Sequence, residues 1–306
     1  MPVAEPLTTH TMPDADRGDA VGLLGAWGRY PILVADALRE QGYRVCCLGV
    51  RRHATAELAD HCDDFRWFNP ANLGAGFRYF RQQGVRHATM AGKFHKVEIY
   101  RPWAWFRYVP DITFLKTFYP YLIGRRGDRR DDTLLGVVVN AFAKHGITFL
   151  PATDFATELL VKAGLIAGPS PTAAQEADIQ FGWNMAKEMG RLDIGQSVCV
   201  KDRAVLAVEA IEGTDACITR AGELCRRGGF TVIKVSKPQQ DMRFDVPTVG
   251  TRTLETMHRA GGQVLAIEAG CTILLDEAEF RITAKRLGVT VVAVSPEASL
   301  RAAEAA

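Results

Sequence analysis

Short apolar runs alternate with helical stretches along both halves of the chain. In the first half, the run VGLLG at residues 21–25 predicts a buried strand, and residues 32–41 have the apolar spacing of an amphipathic helix. In the second half, residues 264–268 and 277–287 repeat this order of strand and helix. Parallel strands need a long crossover connection, which is usually a helix. The alternation therefore predicts an α/β fold built on parallel strands.

The same reading assigns most of the remaining chain. A hairpin is predicted where two apolar runs flank a turn near Asp202 and Arg203. Thr172 is the predicted cap of a long helix that runs to about Gly190. The other predicted strands are residues 43–50, 85–91, 147–150, 197–201, 205–209, 231–235, 272–275 and 289–294. The other predicted helices are residues 72–83, 133–145, 154–163, 215–226 and 251–260.

The length of 306 residues suits two domains better than one. The stretch GLIAGPSP contains two glycines and two prolines, which leave no room for a regular element, so residues 165–171 are the predicted linker. It would separate an N-terminal domain at 19–164 from a C-terminal domain at 172–306. Residues 1–18 are polar and proline-bearing, and we expect a disordered tail there.

Several function classes are poorly supported by the sequence. The net charge of +2 gives no reason to expect a nucleic-acid partner. The seven cysteines contain no Cys-x-x-Cys pair, and no His-x-x-x-His or Gly-x-Ser-x-Gly motif occurs, which disfavours a zinc site and a serine hydrolase. No run approaches the ~18 apolar residues of a membrane span. We expect a soluble, cytoplasmic protein.

A glycine-rich turn follows the first predicted strand, with glycines at Gly22, Gly25 and Gly28. Such turns let backbone N–H groups approach a phosphate at a helix N-terminus, although this spacing is not the dinucleotide fingerprint. A plain tight turn is the alternative. Lys93, after Gly92 at the end of another strand, is a candidate point charge for phosphate or an ordinary surface lysine.

The richest segment is the acidic loop KPQQDMRFDVPTVG at residues 237–250. Asp241 and Asp245 are hard oxygen donors of the kind that Mg²⁺ accepts together with substrate phosphates. Lys237 and Arg243 can offset the charge of those phosphates. The simpler alternative is a loop of internal ion pairs. Gln240 and Thr248 complete the candidate residues of this loop.

Two short polar segments precede the acidic loop. GRLDIGQ at 190–196 contains Asp193 and Gln196, and EGTD at 212–215 contributes Glu212, Gly213, Thr214 and Asp215. Taken singly, each segment is typical of a helix boundary, with Thr214 or Asp215 as an ordinary helix cap.

Taken together, GRLDIGQ (190–196), LAVEAIEGTDA (206–216) and the acidic loop are specific, in both order and spacing. They resemble the LpxI type of UDP-2,3-diacylglucosamine pyrophosphatase, a family of lipid A biosynthesis. The first half is similar to that family through GLLGAWGRYP (22–31), AGK (91–93) and RDDTLL (130–135), which adds Asp132 and Thr133 to the candidate substrate-binding residues.

The resemblance implies an N-terminal Rossmann-like parallel sheet and a C-terminal mixed α/β domain, with the substrate between them. It implies hydrolysis of the nucleotide-sugar pyrophosphate to UMP and 2,3-diacylglucosamine 1-phosphate (lipid X), with Mg²⁺ or Mn²⁺. Asp245 matches the family's metal-binding aspartate, and Asp241 stands at a position that is acidic in relatives. Lys237 and Arg243 would act with them in catalysis. A homodimer and contact with the inner-membrane surface are further implications.

The chain departs from the family pattern in its aromatic segment, residues 100–121, which holds nine aromatic side chains. That segment and the following GDRRDD replace a shorter, less aromatic stretch that ends in GDD in the family pattern. Trp103, Trp105 and Phe106 beside arginines suit a membrane-interfacial patch, and a packing segment is the alternative. Two other functions stay open: a nucleotide-dependent oxidoreductase, and a non-catalytic protein that binds nucleotide-sugar lipids.

Overall fold

The computed structural model describes residues 18–93, 110–123, 131–243 and 246–295, with the backbone alone at 120–123 and 131–134. The chain forms two compact units, residues 1–157 with 241–245 and residues 158–240 with 246–306. The predicted N-terminal tail up to residue 17, the first part of the aromatic segment (100–109), Phe244 and Asp245 lie outside the described residues.

The first unit is built on a parallel sheet. Its strands in the described part of the chain are β1 (Ala20–Gly25), β2 (Arg44–Val50), β3 (Asp64–Phe68), β4 (His87–Ala91) and β5 (Thr148–Phe149). They are ordered β3-β2-β1-β4-β5, and every pairing is parallel. The central strands are buried along almost their whole length, which is why they appear in the sequence as continuous apolar runs.

Helices cover this sheet. They are α1 (Tyr30–Glu40), α2 (Leu73–Gln82), α3 (Ile112–Ile123), α4 (Asp131–Ala143) and the single turn α5 (Ala152–Phe155). Phe142 on α4 is fully buried, and its ring contacts those of Phe77, Phe80 and Phe149 at centroid distances of 4.6, 5.8 and 5.1 Å. These four rings join two helices to the sheet.

The second unit has a mixed sheet. Its strands are β6 (Gly164–Ala167), β7 (Ser197–Lys201), β8 (Ala204–Val208), β9 (Phe230–Lys234), β11 (Gly262–Glu268) and β13 (Thr290–Val294). Their order is β6-β13-β11-β9-β7-β8; β9, β11 and β13 are parallel, whereas β6, β7 and β8 pair in antiparallel fashion. Two short strands, β10 (Thr248–Val249) and β12 (Ile273–Leu274), pair separately.

Helices pack on both faces of this sheet. They are α6 (Ala173–Arg191), α7 (Thr214–Leu224), α8 (Thr251–Ala260) and α9 (Glu277–Leu287). Successive side chains of a strand point to opposite faces. On β9, Val232 belongs to the cluster formed with α7, α8 and α9, while Ile233 belongs to the cluster formed with α6. The second unit is therefore a three-layer α/β/α sandwich.

The predicted α/β fold, with a parallel N-terminal sheet and a mixed C-terminal sheet, is confirmed. The capping residue Thr172 is confirmed too, because its hydroxyl accepts the Gln175 N–H while the Gln175 side chain accepts the Thr172 N–H. The predicted hairpin is β7–β8. The missed elements include β3, whose charged sequence DFRWF hides its pattern, and α3 within the aromatic segment.

Two predictions between the domains are wrong. Residues 154–163 are not one helix, because Val161 is buried in the second unit and its N–H donates to the Thr272 carbonyl. Residues 165–171 are not free of regular structure: Gly164–Ala167 is β6, an edge strand paired with β13, and the Arg281 guanidinium donates to the Ile166 carbonyl. The division between the units falls at Thr157 and Glu158.

The β7–β8 turn carries a stability prediction. Both turn residues are left-handed, with φ of 52° at Asp202 and 58° at Arg203, and their N–H groups donate to the buried Asp178 carboxylate at 3.1 and 2.6 Å. We expect Asp178→Ala to lower the free energy of unfolding by about 2–3 kcal/mol, because two buried donors lose a charged acceptor. Urea denaturation measures this, and Asp178→Asn should lose less. Equal midpoints for Asp178→Ala and the parent would contradict it.

Candidate active site

In the first unit, the strand order reverses between β1 and β4, which is where open α/β sheets bind ligands. Two of the predicted residues meet there. Gly25 ends β1, and the chain then runs beside Lys93: the backbones of Trp27 and Lys93 exchange hydrogen bonds of 3.3 and 2.9 Å. The structure thus joins the glycine turn and AGK, which are far apart in sequence.

The glycines of this turn are required by their surroundings. A Cβ on Gly25 would overlap the Leu58 side chain. Gly92 has a φ of 99°, and a Cβ added to Gly92 would lie only 2.8 Å from the Ala26 backbone. Gly28 has a φ of 106°, the left-handed region that favours glycine, and α1 begins two residues later. Asp132 and Thr133 lie in the first turn of α4, and their side chains are outside the described part of the structure.

In the second unit, the three family-like segments come to one edge of the sheet. The carboxyl end of β9 is Lys234, which pairs with Ser197 at the start of antiparallel β7, directly after GRLDIGQ. The Ser197 carbonyl in turn accepts the Glu209 N–H at 2.9 Å, which brings EGTD to the same edge. The acidic loop leaves β9 there as well. The topology of the sheet therefore gathers segments that are separate in the sequence.

Two glycines of GRLDIGQ set the close fit between these segments. A Cβ on Gly195 would overlap the Glu209 carbonyl, so only glycine leaves room for that backbone. An ideal Cβ on Gly190 would lie 3.2 Å from the Lys237 Cα and 3.1 Å from the Pro238 Cδ, which places this glycine directly against the acidic loop.

Polar side chains connect the segments. Lys237 Nζ lies 2.7 Å from Asp193 Oδ1, and the Lys237 N–H donates to Gln240 Oε1 at 2.8 Å. Asp193 has a φ of 58°, a left-handed conformation that aspartate tolerates better than most residues. Lys237 and Asp193 belong to two different motifs. Their ion pair therefore links these motifs at this edge of the sheet.

Among the described residues of these segments, Glu209 is the most buried acid, with 7% of its surface exposed. The Thr214 hydroxyl donates to its Oε1 at 2.9 Å and lies 3.3 Å from the Ser197 hydroxyl. Among the described residues, three buried polar atoms of these segments have no protein partner, namely Glu209 Oε2, Gln196 Oε1 and Gln240 Nε2. Such atoms are rare in folded proteins and indicate sites where a ligand or water completes the hydrogen bonding.

The helix-cap interpretation of EGTD is not what the structure shows. The N-cap of α7 is Gly213, with a φ of 84° and no side-chain cap. Glu212 pairs with Arg220 at 2.8 Å, and the pKa of Glu212 is lowered by backbone N–H groups and by that guanidinium. Asp215 pairs with Arg252 at 2.9 Å.

In the acidic loop, Asp241 and Arg243 form a two-pronged ion pair. Arg243 Nε lies 2.9 and 3.1 Å from the two Asp241 oxygens, and the Arg243 N–H donates to the same carboxylate at 3.1 Å. Partial burial would raise the pKa of Asp241, but the hydrogen bonds and charge of Arg243 outweigh it, and the pKa lies below its ordinary value. Thr248 begins β10, and its carbonyl accepts Lys234 Nζ at 3.0 Å.

Models of two protein domains match this chain: the LpxI N-terminal domain over residues 20–159 and the LpxI C-terminal domain over residues 162–292. The chain belongs to the LpxI family. A relative from Caulobacter vibrioides, the UDP-2,3-diacylglucosamine pyrophosphatase LpxI, is 30% identical over 289 residues, which is 90% of this chain and 98% of the relative. The resemblance stated from the sequence is thereby confirmed.

One polar cluster of this LpxI chain escaped the sequence prediction. Glu268 ends β11 with 2% of its surface exposed, and both of its oxygens lie 2.7 Å from Lys187 Nζ on α6. The Ser236 N–H and hydroxyl donate to Glu268 Oε2 at 2.7 and 2.8 Å. The cluster fixes the residue that immediately precedes Lys237. The only signal in the sequence is a carboxylate that directly continues the apolar run VLAI.

The metal site at Asp241 and Asp245 stays a prediction. In the described ranges, no group of three or more His, Cys, Asp and Glu side chains has the arrangement of a metal site, and Asp245 is not among those ranges. No helix in the described part of the chain is long and apolar enough to cross a bilayer.

Proposed function

We propose that this chain hydrolyses the pyrophosphate bond of UDP-2,3-diacylglucosamine to UMP and 2,3-diacylglucosamine 1-phosphate. The observation that carries the proposal is the convergence of GRLDIGQ, EGTD and the start of the acidic loop at one edge of the second sheet, in a member of the LpxI family. The name of the Caulobacter relative gives the substrate. The alternatives, an oxidoreductase or a binding protein without catalysis, have no comparable support.

In the proposed reaction, Lys237 and Arg243 stabilise the charge that develops on the attacked phosphate group. Each cation is held by a carboxylate, Asp193 or Asp241, so its position is set before the substrate arrives. Phosphoryl transfer depends mainly on positioning and electrostatics, so a site without a covalent nucleophile is adequate. The unpartnered oxygens of Glu209 and Gln196 are suited to accept hydrogen bonds from substrate hydroxyl or N–H groups.

We propose that Asp245 and Asp241 hold the divalent metal, Mg²⁺ or Mn²⁺. Asp241 fits this role chemically because its lowered pKa keeps it ionised at neutral pH and because carboxylate oxygens suit hard cations. A bound ion supplies polarisation of a phosphoryl oxygen and a more acidic water. Arg243 would then share the Asp241 carboxylate with the metal.

In the first unit, Gly25, Gly28 and Lys93 are proposed to bind phosphate oxygens of the nucleotide part. The support is their common position where the sheet order reverses, together with the backbone pairing of Trp27 and Lys93. The substrate-binding roles of Asp132 and Thr133 and the position of the substrate between the two domains stay predictions.

Peripheral contact with the inner-membrane surface is proposed from the chemistry of the substrate, which carries two acyl chains. Its candidate surface, the tryptophans at 103 and 105, lies outside the described residues. Co-flotation of the protein with anionic vesicles at low salt measures this contact, and flotation without any protein in the lipid fraction would remove it. The homodimer stays a prediction of the family resemblance.

The purified full-length protein should convert UDP-2,3-diacylglucosamine to equimolar UMP and sugar 1-phosphate, followed by mass spectrometry. EDTA should bring the rate to background, and excess Mg²⁺ or Mn²⁺ should restore it. Substrate binding without turnover, in the presence of either Mg²⁺ or Mn²⁺, would favour the non-catalytic alternative. A rise in melting temperature with NAD(P), in the absence of turnover, would favour the oxidoreductase. Turnover that persists in EDTA would remove the metal dependence while keeping the hydrolysis.

A further inference from the structure

Three carboxylates are buried in the described part of the chain, and all three belong to the second unit. They are Asp178, Glu209 and Glu268, with 4%, 7% and 2% of their surfaces exposed. Both Asp178 oxygens accept backbone N–H groups, and both Glu268 oxygens contact the Lys187 ammonium. Glu209 differs, because within the described residues its Oε1 has a hydrogen-bond partner and its Oε2 has none.

The incomplete pairing of Glu209 makes this side chain unfavourable for stability. In the described ranges its carboxylate takes part in no ion pair: Arg220, the arginine of α7, pairs with Glu212 instead. Burying a carboxylate without a cation is costly, and the positive end of the α7 dipole offsets part of that cost. Residues that break such a rule are expected at functional sites. Glu209 is therefore a candidate for a role in the reaction.

The single hydrogen bond of the Glu209 side chain decides the orientation of the Thr214 hydroxyl. An ionised carboxylate can only accept, so Thr214 gives its one proton to Glu209 Oε1, at 2.9 Å. The Ser197 hydroxyl, 3.3 Å from the Thr214 oxygen, is then the donor of that second contact. A hydroxyl oxygen has two lone pairs. Thr214 can therefore accept one more hydrogen bond, but it has no proton left to donate.

This orientation restricts what Thr214 can bind. A phosphate oxygen needs a donor, which the Thr214 hydroxyl is not. The place nevertheless suits a phosphate: Thr214 is the half-buried first residue of α7, and the N-cap Gly213 gives the N–H groups of the first turn no side-chain acceptor. In a hydrolysis, the donor expected beside a phosphate is the water that attacks it.

The position of Glu209 links it to the rest of the candidate site. Its N–H donates to the Ser197 carbonyl at 2.9 Å, at the edge of the sheet where the acidic loop begins. A Cβ on Gly195 would overlap the Glu209 carbonyl, and Gly195 lies two residues after Asp193, the partner of Lys237. The carboxylate is thus anchored to the same segments that hold Lys237.

We infer that Glu209 is a positioning residue of the proposed hydrolysis: it fixes the Thr214 hydroxyl so that the threonine oxygen accepts a hydrogen bond from the attacking water. The inference deepens the proposed function and rests on it. It gives Thr214 an accepting role toward water, and it gives the buried carboxylate a reason to be retained.

Glu209→Leu should lower kcat about 100-fold, because the Thr214 hydroxyl is no longer held in one orientation. Its melting temperature should stay at or above that of the parent, because an incompletely paired buried carboxylate is removed. Glu209→Gln keeps an acceptor oxygen and should lower kcat only about 10-fold. The matched control is Glu223→Gln, an exposed carboxylate on the same helix, with kcat and melting temperature of the parent. A Glu209→Leu protein that melts well below the parent and keeps its kcat would overturn the inference in favour of a purely structural carboxylate.

A double-mutant cycle measures whether Glu209 acts through Thr214. Thr214→Val removes the hydroxyl and should lower kcat about 100-fold at saturating substrate, whereas Thr214→Ser should keep most of it. Adding Glu209→Leu to Thr214→Val should lower kcat no further, because both changes remove the same hydrogen bond. A fall to the product of the two single effects would mean that Glu209 acts without the threonine, and would contradict the inference.

KM distinguishes the water from the substrate as the partner of Thr214. A contact with water leaves KM unchanged in Thr214→Val, whereas a higher KM with the kcat of the parent would place a substrate group on the threonine and remove the water. The fate of the proposed function is read from the parent protein alone. No turnover in the parent would remove that function, while normal turnover in both the parent and Glu209→Leu would remove the inference and keep the function.

Discussion

Asp245→Asn should lower kcat for UDP-2,3-diacylglucosamine by about a thousand-fold, which corresponds to about 4 kcal/mol of lost transition-state stabilisation. Asparagine keeps the shape of the side chain but removes the charge that holds a hard cation. Asp241→Asn should lower kcat less than Asp245→Asn does. The Asp241 carboxylate is already paired with Arg243, so less of its charge acts on the metal. The measurement is kcat at saturating Mg²⁺, with the melting temperature of each variant as a check on folding.

The matched control for this substitution is Asp202→Asn. Asp202 lies in the left-handed turn between β7 and β8, where asparagine is equally tolerated, so both kcat and melting temperature should stay at the parent values. Near-normal turnover of Asp245→Asn at saturating Mg²⁺ would show that Asp245 is not the metal ligand. A fall in kcat that comes with an equal fall in Asp202→Asn would point to a general effect of carboxylate loss.

Glu268→Ala should lower the free energy of unfolding by about 3 kcal/mol, because breaking a buried ion pair strands its partner. The Ser236 N–H and hydroxyl also lose their acceptor. This loss of stability lies at the lower end of the range for buried ion pairs. The Lys187 side chain is 26% exposed, so water can hydrate its ammonium group in the variant. Urea denaturation of the full-length protein gives the change.

The matched control replaces both partners, as Lys187→Met with Glu268→Leu. It removes the stranded charge along with the pair, so it should recover much of the lost stability. In the single variant we also expect a higher KM, because Ser236 directly precedes Lys237. A Glu268→Ala protein with the stability of the parent would show that the cluster contributes little, and an unchanged KM would separate it from the active site.

The sequence predicted most elements of both units, and most bounds agree within two residues. In the second unit the strands are short apolar runs between clear stops, such as Thr172 before α6 and Gly261 after α8. The prediction for residues 154–167 failed because tertiary pairing decided their structure: Leu160 forms a bridge with Ile273 of β12, and Gly164–Ala167 is an edge strand whose exposed face gives no alternating pattern. Local propensity carries no information about such partners.

The candidate residues were found as separate motifs, and only the sheet topology shows which of them meet. The contact between Lys237 and Asp193 spans 44 positions, and that between Lys187 and Glu268 spans 81. No spacing rule within a single segment predicts either pair. The family resemblance grouped the first pair through its motifs. The second pair belongs to no recognised motif and needed the fold.

The acidic loop is fastened at both ends. At its start, Ser236 is tied to Glu268; at its end, the Thr248 carbonyl accepts Lys234 Nζ and β10 pairs with β12. Neither anchor involves residues 241–243 or 245, which carry the proposed chemistry. Substitutions at these positions should therefore change the activity while the pairing of the second sheet is kept.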